Sequence, residues 1–309
     1  MKVTLIVKNR LVDDVMAHIN LWDIDNAGEE IETQIMNESK IINLFAVANT
    51  SLAVITSISY IFPNAYDEEM ILVFRIYQEV FSGQSVFFST FHRLTYCMLC
   101  FIMTAYPYIV IYITQHVKFQ LYMFNKYIKE LMDDYDGAEE RLICTEGYQK
   151  EIEFRLKFLI ERHNEFIRWR NETLKLTANL IIPFIICGCL VSMSLVVFVI
   201  EFSDDLRNMF WRLSTFTVVG FTSNASLVLA GQAYETESEK ILLTLMMLKW
   251  YNLNHKNKKN LFIFMTNSME PLKIQFIEIF GINHPMGVFM CRIVYMTLSL
   301  FWSIRQRIS

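Results

Sequence analysis

The chain has 309 residues, of which 53% are hydrophobic and 19% charged, with a formal net charge of −4 and a mean hydropathy of +0.29. Soluble domains average about 45–50% apolar and about 25% charged residues, so the balance leans towards a membrane protein. A small negative net charge with no polybasic tail or stripe argues against a nucleic-acid partner.

Residues 1–40 open with Met1-Lys2-Val3 and soon turn acidic at Asp13, Asp14, Glu29 and Glu30. They hold no apolar core or cleavage pattern of a secretory signal, so a first helix is expected to direct insertion. Charge-free runs long enough to cross the hydrocarbon core follow at Ile41–Phe62, Leu94–Gln115, Leu176–Ile200 and Leu213–Tyr234. A fifth, Met286–Ile304, carries one charge, Arg292. The spacing predicts an all-α, polytopic bundle of about five spans. Residues 1–40 read as a cytosolic segment ahead of a transmembrane domain over 41–309. The stretch Met70–Phe91, apolar but carrying Arg75 and Glu79, reads as a loop into the second span.

Pro107 and Pro183 fall inside spans, where local kinks are expected; Gly188, Gly220 and Gly231 predict close helix packing. Two polar segments lie between spans. Residues 116–175 place Leu156, Leu159, Ile160 and Phe166 among dense alternating charges, the pattern of a solvated helix with one buried stripe. Residues 235–285 repeat it through Ile241, Leu242, Leu245, Leu248 and Trp250, then the basic run His255–Lys259.

Lysine and arginine favour cytoplasmic loops. Residues 1–40, 116–175 and 235–285 carry four, eleven and six of them, against Arg75, Arg207, Arg212, Arg305 and Arg307 on the opposite side. The amino terminus is therefore expected in the cytoplasm and the carboxyl terminus outside. The sequons at Asn37, Asn49, Asn171 and Asn224 would then be cytosolic or within the membrane, and unglycosylated.

No enzyme chemistry is legible. Cys97 and Cys100 form a C-x-x-C without a second pair, and His116 and His163 lack a second ligand at helical spacing, so no metal or cofactor is expected. The acidic group Asp133, Asp134, Asp136, Glu139 and Glu140 lacks calcium-loop spacing. What remains is binding within the bundle, conduction through it, or both. Apolar, aromatic spans suit a small uncharged ligand oriented by a few polar groups, with Thr56, Ser57, Tyr60, Thr95, Tyr96 and Thr217 as candidates. Arg292 inside a span is expected to snorkel to the membrane edge.

The order of motifs resembles the insect odorant receptors, a seven-helix family. His116-x-x-x-Gln120-Leu121-x-x-Phe124 follows the second span, and Leu159-Ile160-x-x-His163-Asn164-x-x-Ile167 precedes the third. Gly231-Gln232 and Trp250 come near and after the fourth, then Ser268-Met269-Glu270-Pro271-Leu272, with Ser299-Leu300-Phe301 in the last. The resemblance implies that the five spans correspond to helices three to seven, with the first two absent from a truncated product. It implies odour-gated cation conduction in a hetero-tetramer with a shared co-receptor, a small hydrophobic odorant as ligand and a lipid bilayer as surroundings. Subunit contacts would involve the cytosolic helices around His163, Trp250 and Pro271. The last helix would line the pore at Ser299, Ser303, Gln306 and Arg307. Ser303 and Arg307 stand where the family carries large aliphatics, which weakens a tight apolar gate from this subunit alone. A gustatory-type receptor of the same superfamily is the nearest alternative. A secondary transporter would need paired inverted repeats, of which Pro183 with Gly188 is the single hint.

Overall fold

The computed structural model describes residues 16, 19–64, 67, 71–81, 83–132, 145–201, 210–277 and 280–308. The acidic group at 133–140 and Arg207 lie outside them. Seven α-helices account for most of the described chain: α1 (Glu29–Ile61), α2 (Leu72–Val80), α3 (Ser85–Lys129), α4 (Glu146–Glu201), α5 (Phe210–Met247), α6 (His255–Asn267) and α7 (His284–Ile308). A short antiparallel pair, β1 (Gln275–Ile277) with β2 (Phe280–Gly281), precedes α7.

Helices α1, α3, α5 and α7 are each long and apolar enough to span a bilayer, and α4 carries a shorter apolar stretch at Ile181–Leu195 among the described residues. The chain is a multi-pass helical membrane protein. The spans and the polar helices predicted beside them are continuous: α3 runs unbroken through Pro107, and α4 through Pro183. Helix α1 begins at Glu29, twelve residues ahead of the predicted span, with Glu29, Glu30 and Glu32 in its first turn, where the helix dipole favours acid. One expectation needs correction. Residues 72–80 form a helix and not a loop, because Phe74 and Tyr77, three residues apart, both find aromatic partners on α3. The β1–β2 pair was not legible either; strands of three and two residues are too short to leave a periodic signal.

The chain divides into two compact units. The first comprises Met1–Lys40, Ile111–Asn179 and Leu229–Asn283, and the second Ile41–Val110, Leu180–Val228 and His284–Ser309. In the first unit, Leu121, Phe124 and Ile128 of α3 and Ile152, Leu156, Leu159 and Phe166 of α4 are buried at three- and four-residue spacing. Ile241 and Leu245 of α5 and Leu261 and Phe264 of α6 complete the core. Of the predicted stripes, Leu156, Leu159, Phe166, Ile241, Leu245 and Leu248 are core positions, Ile160 and Leu242 are half-buried, and Trp250 is exposed.

A strap ahead of α1 is fastened to the same unit. The Trp22 N–H donates to Gln120 Oε1 at 2.8 Å, and Gln120 Nε2 donates back to the Trp22 carbonyl at 3.1 Å. The Trp22 ring stacks on Phe158, and the Arg162 guanidinium lies 4.3 Å from its centroid. At Gly28 the chain turns with φ +80°, where Lys126 Nζ donates to the Ala27 carbonyl.

Of the three glycines expected to mark close packing, Gly231 does so most severely. A Cβ there would stand 2.0 Å from the Ile282 carbonyl oxygen, in backbone just past β2. Gly231→Ala is expected to cost about 1–3 kcal/mol through overpacking, read as a lower melting temperature of the purified protein. An unchanged melt would show that the β1–β2 backbone yields freely.

Candidate functional site

The second unit contains a polar and aromatic arrangement where α1, α3 and α5 meet. Asn49, Ala53, Thr56 and Tyr60 recur on α1 at intervals of four, three and four, and so do Arg212, Phe216, Val219 and Ser223 on α5. On α3, running antiparallel to α1, Arg93, Tyr96 and Cys100 keep the same register, with Tyr108 two further turns along. Helical periodicity puts each set on one face, so the three faces meet in successive layers.

The deepest layer is polar and fully paired. Asn49 Nδ2 donates to Tyr108 Oη at 2.8 Å and to Ser223 Oγ at 3.0 Å, while Thr222 Oγ1 donates to Asn49 Oδ1 at 2.7 Å. The next is apolar, with Ala53, Cys100 and Val219 buried against one another. Above it Tyr60 stacks on Tyr96 at 4.7 Å between centroids, and the Phe216 ring meets Tyr60 edge-on at 6.3 Å. Neither tyrosine hydroxyl has a hydrogen-bond partner among the described residues, so both are available to an acceptor.

An ion cluster closes the arrangement. Asp67, fully buried, receives Arg93 Nη1 on one carboxylate oxygen and Arg212 Nη1 on the other, the latter at 2.9 Å. The Asn64 N–H donates to Asp67 Oδ2 at 2.9 Å, and Arg212 Nη2 donates to the Phe62 carbonyl at 2.8 Å. Both guanidiniums also cover aromatic faces, Arg93 over Phe74 at 4.4 Å and Arg212 over Tyr60 at 5.7 Å. Aromatic contacts continue outward from Tyr96 through His92 and Tyr77 to Phe88 and Phe87, at centroid separations of 5.6–6.0 Å.

The six candidate ligand residues fare differently. Tyr60 and Tyr96 come together. Thr56 and Ser57 are buried, but their hydroxyls bond their own helix at the Leu52 and Val54 carbonyls. Thr95 and Thr217 are exposed and likewise bond back, to His92 and Leu213. Asn49, Asp67, Arg93, Arg212 and Phe216 were not among the candidates. For Asn49, Arg93, Arg212 and Phe216 the signal was the shared three- and four-residue register, with Arg93 and Arg212 one residue ahead of predicted spans; Asp67, between α1 and α2, shares no such register.

On α7, Ser299, Ser303, Gln306 and Arg307 are all exposed, as is Arg292. The most apolar stretch of this helix has no buried residue. Of the three candidate subunit-contact residues, Trp250 is 55% exposed and Pro271 half-buried. His163 is not at the surface: it lies in the core of the first unit between Phe124 and Phe264, at centroid distances of 6.4 and 5.3 Å. Burial, and secondarily the charge of Arg170, pushes its pKa down from 6.5 to about 4. Between those values the unfolded chain binds the proton and the folded chain does not, so stability falls as pH drops through that window. The melting temperature is therefore expected to decline from pH 6.5 towards 4, less steeply in His163→Phe. Parallel declines would assign the effect to other groups.

A family model described as the 7tm odorant receptor matches residues 2–295. No curated protein matches the chain.

Proposed function

Because this chain belongs to the 7tm odorant receptor family, we propose that it is the odorant-binding subunit of a cation channel completed by a co-receptor. The observation that carries the ligand reading is the Tyr60–Tyr96–Phe216 layer, roofed by the Asp67 ion cluster and floored by Ala53, Cys100 and Val219. A small apolar odorant with an oxygen acceptor suits it: rings supply the contact area and the free hydroxyls orient the acceptor. Opening follows if the ligand binds the open arrangement more tightly than the closed one.

Helix α7 supports the conduction reading. A spanning helix with no buried residue in its most apolar stretch has faces left for other subunits or a central pore. Exposed Met247, Trp250, Tyr251 and Phe262 similarly suit subunit contact in the first unit. The charge distribution supports an amino terminus in the cytoplasm and Ser309 outside, and a tag after Ser309 is then expected to be labelled on intact cells.

The function is tested by recording from cells expressing the chain with the co-receptor during exposure to a panel of small volatile compounds. The expected result is an inward cation current for compounds to which the co-receptor alone gives none. A chain that reaches the surface with the co-receptor, yet adds no response across the panel, would overturn the reading.

A further inference from the structure

The N-terminal end of α3 carries two aromatic stripes. One faces inward: Phe88, His92 and Tyr96 recur every four residues and make the ring contacts with α2 and α1 described above. The other is exposed: Phe87, Phe91, Leu94, Met98 and Phe101, at intervals of four, three, four and three, are 49–68% exposed. Those intervals keep the five side chains on one side of the helix. Leu94, Met98 and Phe101 belong to the part of α3 apolar enough to span the membrane, and the stripe contains no charged residue.

What makes the stripe informative is where it ends. The buried Asp67–Arg93–Arg212 cluster marks the level at which charge first enters the bundle. Phe91 and Phe87 lie beyond it, Phe87 by six residues or about 9 Å of helix. The headgroup layers add roughly 5–8 Å to each side of the hydrocarbon core. Beside this end of α3, α2 exposes Val80, and its C-terminal neighbour Phe81 is 45% exposed, while Arg75, Gln78 and Glu79 supply polar exposed positions. Aromatic rings continuous with a lipid-facing stripe, flanked by charge, are the signature of the membrane–water boundary.

We propose that the α2–α3 hairpin is a lipid-docking element, with Phe81, Phe87 and Phe91 seated at the boundary between headgroups and acyl chains of the leaflet next to the Asp67 cluster. The partner is the bilayer surface itself. Continuity with the exposed face of the α3 span selects lipid over a second protein, and the element is separate from the odorant layer, which uses the opposite stripe. Its role is to fix the depth of α3 and to hold α2 against the membrane, so that the inward rings of α3 stay in register with Tyr60.

The test uses the full chain in nanodiscs, without odorant, made from lipids brominated either near the headgroup or near the chain end. Phe87→Trp and Phe91→Trp each add one emitter, and the native tryptophan signal is subtracted using the parent chain. Most of the added emission is expected to be lost with shallow bromines, with a clearly smaller loss with deep ones. Glu79→Trp is expected to lose little with either. If the added emission of both phenylalanine variants survives both lipids while the proteins remain monodisperse, the hairpin is covered by water or a second protein and the proposal fails. It also fails if Glu79→Trp is quenched as strongly as they are.

Discussion

Replacing Asp67 by alanine is expected to cost about 3–5 kcal/mol and to remove most folded receptor from the cell surface. The carboxylate is fully buried, and its two oxygens are each taken by a guanidinium whose side chain is 10% or 12% exposed. The substitution strands both positive charges in that setting and removes the carboxylate oxygen that the Asn64 N–H donates to. The loss exceeds that of an exposed ion pair, usually under about 1 kcal/mol, because water cannot replace the lost partner. Asp67→Asn should be milder, since the amide oxygen still accepts one arginine. Thermal unfolding in detergent, alongside surface labelling, reads both. A melt for Asp67→Ala within a degree or two of wild type would mean that the cluster is solvated in the membrane.

Tyr60→Ala is expected to shift odorant concentration–response curves to higher concentration by about 10- to 100-fold. Losing the burial against a side chain of this size is worth about 1.5–3 kcal/mol, and each 1.4 kcal/mol is tenfold in affinity. Tyr60 is stacked on Tyr96 and touched edge-on by Phe216, so its ring is the element that both other rings of the layer contact. Tyr60→Phe separates the two contributions. It keeps the ring and removes the hydroxyl, so a shift of about 2- to 10-fold is expected for ligands with an oxygen acceptor and none for hydrocarbons. Tyr96→Phe should behave alike. Normal surface levels with unshifted curves in Tyr60→Ala would move the ligand elsewhere.

Hydrophobic clustering made the spans legible, and with them the fold class, because a bilayer tolerates little backbone other than helix and helices need uninterrupted apolar length. The motifs in the first unit were equally visible, and the structure gives them physical content. Gln120 clamps the Trp22 strap, Leu121 and Phe124 are core, Gly231 lets the Ile282 backbone approach, and the Ser268–Leu272 stretch ends with the Leu272 N–H donating to Ser238 Oγ. His163 shows the limit: its position in a motif suggested a surface role, whereas its ring is core. The site was half legible. Tyr60 and Tyr96 stood out as polar aromatics in apolar runs. Asn49 did not, because a lone polar residue in a span does not announce the three partners it will find on two other helices. Asp67 was invisible for a similar reason, since its meaning lies in two arginines 26 and 145 residues away.

The central claim is that an odorant lies between the Asp67 cluster and the Ala53–Cys100–Val219 layer. Single-particle reconstruction of the chain with its co-receptor, bound to a compound that evokes current, tests it most directly. The expected result is ligand density in contact with Tyr60, Tyr96 and Phe216, with its acceptor oxygen within hydrogen-bond distance of a tyrosine hydroxyl. Ligand density confined to another part of the complex, with the Tyr60–Tyr96 stack closed upon itself, would contradict it.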